Sequence, residues 1–223
     1  MTIVATLRRL HERARAVPAL HRLALTSRLL LALAFVPTAL VKVQGMRFTQ
    51  ISTSTPIGYF FEAMYQSGIY WRFLGWSQLI AGALLLVPRT STIGALLFFP
   101  IILNIFIITV ALHFTGTPVV TGLMLLASLF LLCWDYHRFA AIIWGPRAVY
   151  DVAPSPVFPL IERVGYGVAA AAGMGVLFWS RGIAVGGATR AALIAALALG
   201  AIGGLMVVVG WLQAARLPRP SAA

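Results

Sequence analysis

"GWSQLIAGALLLVPRTSTIGALLFFPIILNIF", residues 75–106, consists of two oily runs joined by "PRTST" at 88–92. Five residues with a leading proline are too few for anything but an antiparallel helical hairpin. Each run is apolar enough for lipid, yet the first carries Gln78 and the second Asn104. A carboxamide in hydrocarbon needs a partner. Gln78 lies ten residues before Pro88 and Asn104 thirteen after Ser91. At ~1.5 Å per residue their depths differ by only about 5 Å, so they form a candidate mid-membrane pair. Amides of this kind commonly tie spans together at about 1 kcal/mol. Pro100, one turn before Asn104, removes a helical donor and should bend the second run.

The same reading extends along the chain. Of its 223 residues 61% are hydrophobic and 10% charged, too little polar surface to cover a soluble globule. A helix needs ~20 apolar residues to cross ~30 Å of hydrocarbon. Six runs are expected to do so, near residues 29–43, 74–87, 93–113, 119–134, 164–179 and 191–211. The first two are short and should extend through flanking aromatic and basic residues. Transmembrane β-strands would alternate apolar and polar residues, and these runs do not. The expected fold is an all-α membrane protein of six spans.

Seventeen basic residues stand against five acidic ones, a formal charge of +12. In a soluble protein that excess would suggest nucleic acid; here it sets topology. With the first residues in the cytoplasm, twelve cations fall inside, and only Lys42, Arg47, Arg72, Arg181 and Arg190 outside. An even number of spans then puts both termini in the cytoplasm of a bacterial inner-membrane protein. The first apolar run begins near residue 29 with no small-residue cleavage site after it, so span one is expected to act as an uncleaved signal. Residues 1–26 read as a basic segment lying on the anionic inner leaflet.

The longest outward segment is "VQGMRFTQISTSTPIGYFFEAMYQSGIYW". Thr55 can cap a helix and Pro56 fits its first turn. Ile57, Phe60, Phe61 and Met64 then share one face, and Gly68 is a stop. An amphipathic helix over 55–68 is expected at the outer surface, with Glu62 its only charge. Lys42, Arg47, Glu62, Arg72 and His113 all fall near this end of the first three spans. A carboxylate among cations beside an imidazole could make an acid–base pocket. The same cations could equally snorkel to headgroups, and His113 could be an interfacial helix end.

Residues 139–162 hold Pro154, Pro156 and Pro159, which forbid one continuous helix, and they divide a core at 27–138 from a hairpin at 163–214 with a tail at 215–223. The hairpin pairs Gly165 with Ala169, Gly167 with Ala171 and Gly200 with Gly204 at four-residue spacing, which favours close packing or pairing of copies through spans five and six. The lone Cys133 excludes an internal disulfide and is expected to be a buried small hydrophobe. Bis-histidine haem requires two imidazoles at one depth, but His113 lies outside and His137 inside. No ligand set for zinc or iron is evident.

"SRLLLALAFVPTALVKVQGMRFT", the hairpin at 75–106 and "LLCWDYHRF" together resemble the DoxX-like membrane proteins over about residues 25–140. The resemblance implies a four-helix membrane bundle and a place in a redox system. Some relatives are subunits of a thiosulfate:quinone oxidoreductase, and others associate with soluble redox or thiol-handling enzymes. The resemblance leaves the cofactor open, with quinone the candidate, and makes a membrane or soluble redox protein the candidate partner. No family catalytic residue maps onto this chain, and the last two spans depart from the four-span pattern. A small-solute transporter or channel and a non-catalytic assembly factor are the alternatives.

Overall fold

The computed structural model describes residues 3–145, 150–152, 154–181 and 190–216, and every regular element among them is a helix. In chain order they are α1 (Ile3–Arg15), α2 (Pro18–Val43), α3 (Pro56–Gln66), α4 (Ile69–Leu86), α5 (Ser91–Ala111), α6 (Thr117–Trp134), α7 (Tyr136–Trp144), α8 (Leu160–Ser180) and α9 (Arg190–Arg216). Six of these, α2, α4, α5, α6, α8 and α9, are long and apolar enough to cross a bilayer, which makes this a multi-pass membrane protein. The first two spans do run beyond their hydropathic cores. α2 begins at Pro18, where a ring with no N–H to lose fits the first turn. α4 begins among Tyr70, Trp71 and Arg72.

The chain forms two compact units, Met1–Ser155 and Pro156–Ala223. In the first, α2, α4, α5 and α6 pack in a closed ring in which each span touches the next and α6 returns to α2. α1 rests on α2 and α6, α3 on α4, and α7 on α6. At the centre Phe35 stacks on Phe98 across the ring, centroids 3.8 Å apart, among Leu31, Leu85, Ile102 and Leu131. Lipid tails are as apolar as leucine, so close contact rather than hydrophobic transfer must hold the spans. Two such approaches are at Gly75, where a Cβ would lie 2.8 Å from Val43 N and 3.0 Å from Ala39 O, and at Gly94, where one would lie 2.6 Å from Leu85 N. Pro37 and Pro100 each lie within an unbroken helix.

α2 ends in a Schellman motif: Gly45 adopts φ 71°, its N–H bonds to Lys42 O, and Met46 N bonds to Val41 O. α3 is capped as its sequence predicts, with Thr55 Oγ1 accepting from Gly58 N at 3.2 Å. In the second unit α8 packs on α9, and of the small-residue pairs it is Gly165 and Ala169 that meet the partner helix, at Gly203. A Cβ on Gly203 would lie 2.6 Å from Ala169 N, and one on Gly165 would lie 2.7 Å from Gly203 O. Gly167 and Gly204 instead face open space. Small-residue spacing shows that a helix can approach closely; it does not show which turn of the partner fills the notch. Glu162, inside the segment read as a linker, is fully buried where α8 begins, its Cβ 2.5 Å from the position a Gly210 Cβ would take.

Candidate functional site

The polar residues of the first unit collect at its two ends. At the α3 end Lys42 occupies the last turn of α2 and is only 6% exposed. Its Nζ donates to Gln78 Oε1 at 3.0 Å and to Thr38 O at 3.3 Å. The ammonium also lies 4.5 Å from the centre of the Phe48 ring and 5.3 Å from that of Trp71, where the faces of both rings attract a cation. Trp71 is fixed in turn by its Nε1 donating to Met46 O. Phe48 meets Phe61, Phe61 meets Phe114, and Tyr65 meets Trp71, so aromatic side chains from α3 and two loops roof the Lys42–Gln78 pair. With its oxygen engaged by Lys42, the Gln78 amide is oriented. Its Nε2 makes no hydrogen bond among the described residues.

Gln78 is therefore joined to Lys42 and not to Asn104. Asn104 is exposed on α5 and has no side-chain hydrogen bond among the described residues. The azimuth of each helix is set by packing, which turns Gln78 into the α2–α4 contact and Asn104 away from it.

The five outer residues resolve into separate places. Arg47 grips Glu62 with two bonds, Nε to Oε2 and NH2 to Oε1, both 2.9 Å, and Gln66 Nε2 adds a third at 3.0 Å. These donors hold the Glu62 carboxyl at about 2, far below its ordinary value, so it stays ionised and takes no proton near neutrality. Arg47 also covers the Tyr65 ring at 4.4 Å. Arg72 is exposed, its guanidinium beside Gly45. His113 is exposed in the α5–α6 turn. Lys42 lies beneath the aromatic roof, apart from the Arg47–Glu62 pair.

The opposite end carries a cluster that the sequence reading did not assemble. Asp135, between α6 and α7, is 1% exposed. Arg28 NH2 donates to both its oxygens at 3.1 and 3.2 Å, and Thr92 Oγ1 donates to Oδ2 at 2.8 Å. Arg138 NH1 donates to that threonine oxygen at 2.8 Å. One carboxylate thus ties α2, α5 and α7 together. A signal for it existed: with five acids in the chain, an Asp at the end of an apolar span has few ways to remain charged except beside an arginine.

Next to this cluster His11 of α1 is buried with both nitrogens engaged. Nε2 must donate to the Trp134 carbonyl at 2.9 Å, which leaves Nδ1 to accept from the Tyr150 hydroxyl at 3.0 Å. Burial pushes the Tyr150 hydroxyl up to about 12. The His137 ring lies 5.4 Å from that of His11, and burial, with Arg15 and His11 nearby, lowers it to about 4. A cavity of about 310 Å³ opens between Leu7 and Ala14 of α1 and Phe130, Cys133 and Trp134 of α6. Cys133 is exposed rather than buried, because it lies on the face of α6 that lines this cavity and not on the face turned to the ring. Among the described residues no three His, Cys, Asp or Glu side chains come together to hold a metal ion.

No protein-family model matches the chain, and no solved structure matches it. Over 76 residues it is 36% identical to YwoB of Bacillus subtilis (strain 168), an uncharacterized protein, in a match that takes in 34% of this chain. The matched stretch is 49% of that protein, so the chain spans about half the length of the curated relative it matches.

Proposed function

We propose that this chain is a DoxX-like inner-membrane component of a redox system that contacts quinone beneath the α3 roof and meets its oxidoreductase partner at the same end. The buried Lys42–Gln78 pair under Phe48 and Trp71 carries the reading. A quinone headgroup is a flat ring with two carbonyl acceptors. It stacks on aromatic faces and accepts from N–H donors, and Gln78 Nε2 is such a donor held in one orientation by Lys42. The buried Phe35–Phe98 stack across the ring gives no support to a path for small solutes. Gly167 and Gly204, facing open space, support pairing of copies through α8 and α9.

The test is the quinone content of protein purified from native membranes, together with quinone reduction by thiosulfate or another donor, alone and with its natural partners. Gln78→Leu and Lys42→Met are expected to lose both. Wild-type protein that retains no quinone and reduces none under these conditions removes the reading.

A further inference from the structure

The α1 end of the first unit holds more positive charge than it neutralises. Arg28 and Arg138 converge on Asp135 and Thr92, and Arg15 lies with its guanidinium carbon 4.5 Å from the centre of the Trp134 ring, one residue away. Three guanidinium groups face one carboxylate. The Arg15 side chain makes no hydrogen bond among the described residues, and the Nε atoms of Arg15 and Arg28 are buried without one. Burial lowers Arg15 from its ordinary value; Asp135 opposes that shift, and Arg138 and Arg28 add to it. A half-buried cation whose Nε is sealed from water without a hydrogen bond is costly, and an oxyanion reached by all three would reduce that cost.

The ring that Arg15 covers, Trp134, also walls the cavity between α1 and α6. Leu7, Ala14, Phe130 and Cys133 make most of the rest of that wall apolar, and His11 and Tyr136 complete it. An anionic group bound here would therefore have a hydrocarbon-lined recess directly beside it, at the end of the spans where lipid headgroups sit. A free phosphate would use only the first of these two features. An anionic lipid uses both.

We propose that this end of the bundle binds one anionic phospholipid, its phosphate on Arg15, Arg28 and Arg138 and an acyl chain in the cavity between α1 and α6. The site is independent of the quinone reading, since it lies at the opposite end of the ring. Bound there, the lipid would hold α1 against α6 and complete the charge balance around Asp135.

Native mass spectrometry of the full chain, with phosphatidylglycerol and phosphatidylcholine added in equal amounts, tests this. Wild-type protein is expected to retain one phosphatidylglycerol with a preference of about thirtyfold, as two unbalanced charges near a headgroup imply. Arg15→Gln and Arg138→Gln should each reduce the preference about fivefold, and Arg15→Lys should keep most of it. Ala14→Phe, which fills the cavity, should weaken retention without altering the response of thermal stability to inorganic phosphate. Arg13→Gln removes the same charge from the exposed face of α1 and should change nothing. Equal loss in Arg13→Gln, retention indifferent to Arg15 and Arg138, or inorganic phosphate displacing the lipid while Ala14→Phe has no effect would each overturn the proposal.

Discussion

His113 shows how a single backbone angle can account for a residue that looks chemical. It has φ 51°, its N–H bonds to Val110 O at 3.2 Å, and Phe114 N bonds to Thr109 O at 3.0 Å. This is the Schellman closure of α5 with histidine in the left-handed position that glycine occupies at Gly45. A left-handed residue with a Cβ costs about 1–2 kcal/mol. His113→Gly is therefore expected to leave thermal stability in detergent unchanged or raise it by up to about 1 kcal/mol, and His113→Val to lower it. An activity loss in His113→Gly with unchanged melting would instead give the imidazole a chemical task. Glu62 makes a second prediction at this scale. Its folded carboxyl titrates at about 2 against 4.5 unperturbed. Its contribution is complete above about pH 4.5 and disappears as pH falls toward 2, the direction for a depressed acid. Melting of wild type and Glu62→Gln should differ at pH 7 and converge as pH approaches 2.

At the scale of elements, the contacts that matter are those where two helix backbones approach. Gly75 lets the last turn of α2 lie against α4, so Gly75→Leu must push Val43 and Ala39 apart and should destabilise by about 1–3 kcal/mol, read from thermal unfolding. Gly82→Ala is milder, because its nearest neighbour is the Val36 Cγ2 at 3.1 Å and not backbone. In the second unit Gly203→Leu should disrupt α8–α9 packing while Gly204→Leu is tolerated within the hairpin, since nothing lies within 4 Å of Gly204. Unfolding of the two variants, measured side by side, checks the register. The six spans and α3 were largely legible, because long apolar runs, Thr55–Pro56 and the "PRTST" turn each leave a local chemical mark, whereas α1 and α7 lie in segments read as a basic surface stretch and the edge of a linker. Which small residue faces which was not, since every position on an apolar helix looks alike until a partner selects a side.

For the whole molecule, Asp135 is the carboxylate that links residues far apart in the chain. Removing one partner of a buried ion pair leaves the others without compensation and typically costs about 3–5 kcal/mol. Asp135→Ala is expected to destabilise by that amount and to loosen α2, α5 and α7 together, visible as a single lowered transition. Thr92→Val should cost less, since the Arg28 contacts remain. Orientation has its own check. In a Cys133→Ala background, a cysteine at Ser54 should react with a membrane-impermeant thiol reagent added outside intact cells, and one at Arg13 should not. The reverse pattern would invert the arginine argument and move the Lys42–Gln78 end to the cytoplasm.

The chain alone determined that it is helical, that six segments can span a bilayer, and that Lys42, Arg47 and Glu62 share one end, because hydrophobic length, turn chemistry and order along an antiparallel path are local or one-dimensional properties. Folding decided the rest. Rotation of each helix about its axis is chosen by close packing at positions such as Gly75 and Gly203, and this brought Gln78 to Lys42, left Asn104 apart, exposed Cys133 and drew Arg28, Thr92, Asp135 and Arg138 from distant parts of the chain into one charged knot.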